Sequence, residues 1–232
     1  LDIERIEGAD GLQNLWGVSD RLLVSCLDVL HAFAPVTDAD TLRIPNIARH
    51  VSPAIMSYRG IQYQSMAPTV MQTSELGWLE SHLWILSGLY GCVRPFDAVM
   101  PYRLEMGAKL AIDDKRDLYA FWGDRLARII ASNGNATTVV NLASVEYARA
   151  VLPHIGPKAS IITCIFGEEL RHGKPLQRAS ASKKARGSMV RWMAEHTIED
   201  ACQLPAFNVG YRYTPELSSE DTLVFLNNAT SF

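Results

Sequence analysis

The residues with the clearest chemical meaning form a run of cations that contains no acid. Between Arg171 and Trp192 there are seven Lys or Arg and no Asp or Glu: Arg171, Lys174, Arg178, Lys183, Lys184, Arg186 and Arg191. The net charge of the whole chain is −3, so the acids lie elsewhere in the sequence. This distribution predicts a positive face on a mildly acidic protein, and such a face suits binding to phosphate groups.

The segment from Ser182 to Gly187 suggests how a phosphate would be held. Ser182 is a typical helix cap, and it predicts a helix that runs to about His196. Three cations would lie near the start of this helix: Lys183, Lys184 and Arg186. Each is unfavourable there by about 0.3–1 kcal/mol because the peptide dipoles already place positive charge at a helix N-terminus. A bound anion would neutralise the cluster, and Gly187 would let backbone or ligand approach closely. The alternative is a solvated basic face.

A second polar group follows a predicted strand. Thr137–Leu142 is a β-branched run that predicts a buried strand, and Ser144 is a suitable cap for a helix over Val145–Leu152. Asn141, Ser144 and Glu146 therefore lie where α/β proteins assemble ligand sites. Glu146 would bind a ribose hydroxyl or act as a general acid/base, or it would only complement the helix dipole.

A third candidate is the glycine-rich turn between residues 87 and 91. It follows a predicted helix that Ser74 would cap and that would run through Leu86. Glycines in such a turn allow backbone N–H groups to face a phosphate. The candidate phosphate-binding residues here are Ser87, Gly88, Tyr90, Gly91 and Arg94. The alternative is a packed helix C-cap, since Pro95 and Pro101 interrupt any second helix.

A fourth candidate is the loop from Tyr102 to Gly107. Arg103 would clamp a phosphate or a carboxylate, and Glu105 would orient Arg103 or a lysine. A structural pair between Arg103 and Glu105 is the alternative interpretation.

Composition and periodicity predict one mixed α/β domain over residues 1–232, with a mixed sheet flanked by helices. Apolar residues make up 48% of the chain, which is ordinary for a globular protein. Helical spacing indicates helices over residues 11–33 and Asp117–Ser132, the latter ending at Asn133-Gly134. Further strands are predicted at Ala54–Tyr58, Ala159–Phe166, Tyr211–Tyr213 and Thr222–Phe225, the last two forming a closing hairpin.

The same data argue against several classes of protein. Four widely spaced cysteines without metal-ligand spacing predict reduced thiols and neither a disulfide framework nor a zinc site. No apolar run approaches the ~20 residues of a membrane span, and no signal-peptide pattern opens the chain. We therefore expect a cytoplasmic protein with no cofactor, no bound metal and no membrane partner.

Seven segments are informative when they are taken together: Trp84–Asp97, Met100–Gly107, Asp117–Asp124, Val140–Tyr147, Lys183–Met189, Phe207–Tyr211 and Leu223–Phe225. Together they resemble the YaaA peroxide stress protein family. Several of them are long, they occur in the order of the family, and the resemblance covers nearly the whole chain from about Leu12. The similarity is weaker over residues 171–182. The family opens with a strand ending in Ser-Pro-Ala-Lys, which has no match in this chain.

The resemblance implies a cytoplasmic bacterial protein that helps cells survive hydrogen peroxide by limiting intracellular iron and the DNA damage that iron promotes. It also implies a mixed α/β body with a helix–hairpin–helix-like element beside a basic cleft, associated with duplex DNA binding. The turn at residues 87–91 and the cations Lys183–Arg186 would then lie on opposite walls of that cleft.

Two functions from different classes follow. The first is non-sequence-specific binding of duplex DNA through its phosphates. The second is an enzyme that cleaves or transfers at the glycosidic bond of a nucleotide or nucleoside, with Glu146 and Glu105 as acid and base. The partner is accordingly DNA or a nucleotide-type small molecule. Direct iron binding is disfavoured because no Cys, His or Asp cluster has ligand spacing.

Overall fold

The computed structural model describes residues 52–99, 102–112, 114–132 and 138–229. Within these ranges the chain forms two compact units. The first contains the described residues up to 57 together with those in 84–130 and 149–154, and the second contains those in 58–83, 131–148 and 155–229. The predicted helix over 11–33 and the helix stop at Asn133-Gly134 lie outside the described residues. A single domain over 1–232 stays a prediction.

The regular elements of the described residues are numbered along the chain. The helices are α1 (Ala54–Ser57), α2 (Ile61–Met66), α3 (Thr73–His82), α4 (Leu118–Trp122), α5 (Arg125–Ser132), α6 (Val145–Ala148) and α7 (Ala179–Glu195). The strands are β1 (Ser52–Pro53), β2 (Ile85–Ser87), β3 (Gly91–Val93), β4 (Ala98–Val99), β5 (Thr138–Asn141), β6 (Ser160–Gly167), β7 (Glu169–Arg171), β8 (Lys174–Leu176), β9 (Tyr211–Tyr213) and β10 (Thr222–Asn227). None of these helices is long and apolar enough to cross a membrane.

The second unit is built on a mixed sheet with strand order β5-β6-β10-β9. β5 and β10 run parallel to β6, one on each side of it. β9 runs antiparallel to β10, with Tyr213 opposite Phe225. The predicted mixed α/β class, the strands β5 and β6, and the closing pair β9–β10 are confirmed.

An aromatic core holds α7 against this sheet. Phe166 of β6 stacks on Phe225 of β10 at 5.4 Å between ring centroids, and Phe207 meets both rings edge-on at 6.0 and 5.8 Å. Trp192 of α7 packs edge-on to Phe207 at 5.7 Å. All four side chains are buried, so they contribute the hydrophobic stabilisation and the specific ring geometry that orient α7. The helix also packs against α2.

The first unit contains two small antiparallel pairs, β1–β4 and β2–β3. β2 and β3 form a hairpin in which Ser87 lies opposite Gly91. From the end of β3 to residue 112 the described residues contain β4 but no helix. The second helix of a helix–hairpin–helix-like element is therefore not confirmed.

The predicted strand over Ala54–Tyr58 is wrong, because these residues begin with α1. The N–H groups of Ala54 and Ile55 donate to the carbonyls of Asp97 and Pro95, each at 2.9 Å. A short apolar run does not distinguish a strand from a buried helical turn. Here distant carbonyls satisfy the first N–H groups of the helix.

The predicted limits of α3 are also wrong. Its cap is Gln72 rather than Ser74, and the Gln72 N–H donates to the Glu75 carboxylate at 2.8 Å. The helix ends at His82, and Leu86 belongs to β2. The prediction was too long because the helical spacing of leucines continues into residues 85–87, which pair with β3 as a hairpin.

The helix predicted over Asp117–Ser132 begins where expected but is interrupted. Asp117 caps α4 and accepts a hydrogen bond from the N–H of Ala120 at 2.7 Å. Gly123 then adopts a left-handed φ of 52°, which separates α4 from α5. The helix predicted over Val145–Leu152 is likewise shorter, since α6 ends at Ala148.

Candidate functional site

The basic helix starts earlier than the sequence pattern indicates. Arg178 is the cap of α7, so Ser182 lies inside the first turn and is not the cap. Ser182 is buried, and its hydroxyl donates to the Phe166 carbonyl at 3.4 Å. Lys183 and Lys184 consequently lie in the second turn, away from the first N–H groups of the helix. The predicted cradle of cations around free helix N–H groups is wrong, and any phosphate contact would come from the side chains.

The cations of the acid-free run differ in how they are neutralised. Arg178 pairs with Glu169 at 3.0 Å, and Arg191 pairs with Glu195 at 2.6 Å. Lys183 and Lys184 are exposed and form no ion pair with any described residue. Surface ion pairs contribute little stability, but the paired acid neutralises the cation and so weakens its attraction for a phosphate. The two lysines keep that charge available.

Arg186 combines partial burial with an unmet hydrogen bond. Its side chain is half-buried, and its Nε is enclosed without a partner among the described residues. Burial lowers the pKa of this guanidinium because it penalises the charged form. An enclosed donor without an acceptor is costly, and the enclosure that hides the Nε also keeps an external anion away from that atom.

Gly187 serves the packing of α7 on α2. A β-carbon at this position would lie 2.0 Å from the carbonyl oxygen of Gln62 and 3.1 Å from the backbone nitrogen of Met66. The sequence predicted that Gly187 allows either backbone or a ligand to approach closely, and the structure shows the close approach of the α2 backbone. Binding of a phosphate at Gly187 stays a prediction.

One of the polar residues at the end of β5 already forms hydrogen bonds within the second unit. The Asn141 side chain accepts the N–H of Ala143 at 3.1 Å and donates to the Thr163 hydroxyl at 3.3 Å. Ser144 directly precedes α6, and Glu146 lies in its first turn with a half-buried side chain. α6 has four residues, so its dipole is small. Asn141 is a turn-forming residue here, and the ligand roles of Ser144 and Glu146 stay predictions.

The turn of the β2–β3 hairpin is hydrogen-bonded within the first unit. The buried Ser87 hydroxyl accepts the N–H groups of Leu89 and Tyr90 at 3.2 and 2.8 Å, and it bonds to the Tyr102 hydroxyl at 2.6 Å. Those two N–H groups therefore point at Ser87. Gly88 is also packed, because a β-carbon there would lie 2.6 Å from the Leu104 carbonyl oxygen.

Gly91 has a similar packing role. A β-carbon there would lie 2.7 Å from Leu126 and 2.9 Å from Trp122. This geometry favours a structural role for the turn, and its contact with phosphate stays a prediction.

The arginines of the first unit lie in different surroundings. The half-buried Arg94 guanidinium lies over the Trp84 ring at 4.5 Å from its centroid. Arg103 and Glu105 are both exposed and form no ion pair with each other. The alternative of a structural Arg–Glu pair is therefore not observed, and Arg103 keeps an unneutralised charge within the described residues.

The candidate residues thus fall into two groups. The first unit holds Ser87, Gly88, Tyr90, Gly91, Arg94, Arg103 and Glu105, and the second holds Asn141, Ser144, Glu146, Lys183, Lys184, Arg186 and Gly187. A single cleft with both groups on its walls stays a prediction.

Sequence reasoning missed a polar cluster in the second unit. Glu168 follows the carboxyl end of β6 and accepts a hydrogen bond from the Tyr211 hydroxyl. Its other oxygen accepts from the Asn227 amide at 3.4 Å, at the end of the neighbouring parallel strand. Burial, followed by the hydrogen bond to Glu168, raises the pKa of Tyr211. The available signal was a Glu two residues after the predicted strand Ala159–Phe166.

The cysteines of the described residues are poor nucleophiles, and these residues contain no cluster of metal ligands. Burial raises the pKa of Cys164 to about 12, and burial with the nearby charge of Asp97 raises that of Cys92 to about 11. Such thiols are weak nucleophiles because the thiolate is the reactive form. Cys202 is exposed, but its hydrogen bond with Asp200 also raises its pKa. No group of His, Cys, Asp or Glu in the described ranges is arranged to hold a metal.

Comparison with known proteins gives the family. A family model described as "Peroxide stress protein YaaA" matches residues 4–217. A UPF0246 protein of Pediococcus pentosaceus is 42% identical over 218 residues, which are 94% of this chain and 81% of the relative. One from Desulfitobacterium hafniense is 44% identical over 216 residues, with 93% and 83% coverage. One from Ligilactobacillus salivarius is 37% identical over 220 residues, with 94% and 83% coverage. The resemblance inferred from the segments is confirmed, and the chain belongs to the YaaA family of peroxide stress proteins.

Proposed function

We propose that this protein acts in the peroxide stress response by binding the phosphates of duplex DNA without sequence specificity, through the basic cluster of α7 (Lys183, Lys184 and Arg186). The observation that carries the proposal is that no described acid forms an ion pair with this cluster. The flanking Arg178 and Arg191 are neutralised by acids, whereas the cluster has no ion pair with a described residue. A cluster of cations without ion pairs, next to cations that acids neutralise, suits an external polyanion.

The three side chains supply complementary contacts to a phosphate backbone. Lys183 and Lys184 are long and exposed, so they contribute mobile point charges. Arg186 is half-buried, and the two terminal nitrogens of its planar guanidinium suit contact with phosphate oxygens. Contacts of this kind fix position on the backbone and carry no base information, which is why sequence-independent binding is proposed.

Removing the two exposed lysines should weaken DNA binding in a salt-dependent way. We expect Lys183→Gln/Lys184→Gln to bind a fluorescent 20-base-pair duplex about tenfold more weakly near 0.1 M salt, because two contacts that release counterions are lost. The slope of log affinity against log salt should become shallower by roughly 1.8. Fluorescence anisotropy over a salt series measures both quantities.

The control variant removes the same number of positive charges from residues that acids already neutralise. Lys115 pairs with Asp114 and Arg128 pairs with Asp124, so Lys115→Gln/Arg128→Gln should change the salt slope little. Equal effects of the two double variants, or wild-type affinity that ignores salt, would contradict the proposal. Displacement of the duplex by one free nucleotide would point to a small-molecule pocket instead.

The second candidate function is an enzyme that acts at the glycosidic bond of a nucleotide or nucleoside. The observation in its favour is the set of polar groups at the carboxyl ends of parallel strands, where α/β sheets place their ligands. Glu168 directly follows β6, Asn227 is the last residue of β10, and Glu146 lies in the first turn of α6, after β5. A half-buried carboxylate that accepts hydrogen bonds from its neighbours suits ribose binding or proton transfer.

Loss of the Glu168 carboxylate tests this candidate. If the protein is such an enzyme, Glu168→Gln or Glu146→Gln should reduce product formation from a nucleotide panel by about 10²–10⁴-fold. Tyr211→Phe is the control, because it removes a hydrogen bond but leaves the carboxylate in place. Circular dichroism would verify folding. A wild-type protein that forms no product, or full activity in both glutamine variants, would rule the enzyme out.

A further inference from the structure

The β7–β8 hairpin presents two cations directly opposite each other at its tip. Arg171 and Lys174 are register partners, and they flank a two-residue turn formed by His172 and Gly173. These turn residues have left-handed φ values of 52° and 73°, as in the tight turns that match the twist of a hairpin. All four residues, the basic tip, are exposed.

Like charges opposite each other destabilise a strand pair. No acid among the described residues forms an ion pair with Arg171 or Lys174 to reduce this repulsion. Glu169, the acid of the hairpin, pairs with Arg178 at 3.0 Å. Arg171 and Lys174 form no ion pair with any residue in the described ranges. The chain thus holds two unneutralised charges side by side at a cost to the hairpin.

The base of the hairpin is firmly held within the second unit. The Glu168 N–H donates to the Leu176 carbonyl at 2.9 Å, which continues the ladder below the tip. Gly167 lies so close to the other strand that a β-carbon there would be 2.8 Å from the Pro175 side chain. The Glu169–Arg178 pair joins the hairpin to the cap of α7. A ligand at the tip would therefore meet backbone that is already ordered, which lowers the entropy lost on binding.

We propose that the basic tip is a second contact with the sugar–phosphate backbone of duplex DNA, in addition to the basic cluster of α7; this rests on the proposed function. The tip offers charge and hydrogen-bond donors and no apolar side chain. A protein interface would need a buried apolar or aromatic centre, which the tip lacks. A second phosphate contact also favours an extended polyanion over a single nucleotide.

The test compares double variants in the same duplex-binding assay. Arg171→Gln/Lys174→Gln should bind the 20-base-pair duplex about tenfold more weakly near 0.1 M salt and lower the salt slope by roughly 1.8. Arg171→Lys keeps the charge and should retain most of the affinity. Lys183→Gln/Lys184→Gln reports on α7 separately, and Lys115→Gln/Arg128→Gln again controls for net charge.

The outcomes separate this inference from the function on which it rests. Weaker binding in the α7 variant together with control-like binding in the tip variant overturns the tip contact and leaves the proposed function standing. A wild-type protein that binds no duplex overturns both. Control-like duplex binding with loss of poly-glutamate binding in the tip variant also overturns the inference, because the tip would then recognise an acidic protein surface.

Discussion

Replacing Gly187 with alanine should lower the free energy of unfolding by about 2 kcal/mol. The added β-carbon would lie 2.0 Å from the Gln62 carbonyl oxygen, and the obstructing atom belongs to backbone that cannot rotate away. Forcing a methyl group into a packed contact costs about 1–3 kcal/mol and occasionally more. A contact of 2.0 Å with backbone places the cost at the upper end of this range, about 3 kcal/mol, and alanine recovers about 1 kcal/mol of it through its higher helix propensity.

Gly77 provides the matched control because it also lies inside a helix. A β-carbon at Gly77 of α3 would meet nothing within 4 Å. Gly77→Ala should therefore raise the free energy of unfolding by about 0.5–1 kcal/mol through helix propensity alone. Denaturant unfolding of both variants measures the difference. If Gly187→Ala were stabilised as much as Gly77→Ala, the close approach of α2 and α7 would be wrong.

The second large effect is expected at Ser87, where alanine should cost about 2–3 kcal/mol of unfolding free energy. The Ser87 hydroxyl is buried and accepts the N–H groups of Leu89 and Tyr90. Removal of the hydroxyl takes this acceptor away from two half-buried donors, and a buried donor left unsatisfied costs about 1–3 kcal/mol. Thermal or denaturant unfolding gives the measured value.

Tyr102→Phe separates the turn from the rest of the Ser87 network. This change removes the hydroxyl that bonds to Ser87 at 2.6 Å but leaves both backbone donors satisfied. We expect a loss of about 1 kcal/mol, the usual net contribution of one hydrogen bond. Equal costs for the two variants would show that the turn does not depend on the Ser87 acceptor.

These two residues show how a pattern typical of ligand binding can serve packing. Glycines and a serine in a tight turn, or a glycine beside cations, are compatible with either role. The deciding atoms come from elsewhere in the chain, namely the Gln62 carbonyl for Gly187 and the Tyr102 hydroxyl for Ser87. Local sequence does not contain that information, because close packing is a property of the folded unit.

The family, the mixed α/β class and most of the sheet could be predicted from the amino-acid sequence alone. Long β-branched or aromatic runs predicted β5, β6, β9 and β10 because burial of such runs decides their conformation over several residues. The start of the helix at Asp117 was predicted from the sequence, and the hydrogen bond that caps it, from the N–H of Ala120 to the Asp117 carboxylate, is local. The acid-free run of cations was likewise visible from composition alone.

The start of α7 and the neutralisation of its cations depend on contacts across the fold. The burial of Ser182 against β6 places the start of the helix before Ser182, and the exposed Arg178–Glu169 pair neutralises Arg178. The Glu168–Tyr211 contact joins residues 43 apart in the chain. Local propensity differs by tenths of a kcal/mol per residue, whereas a satisfied buried group is worth about 1–3 kcal/mol, so packing overrules the local pattern at these positions.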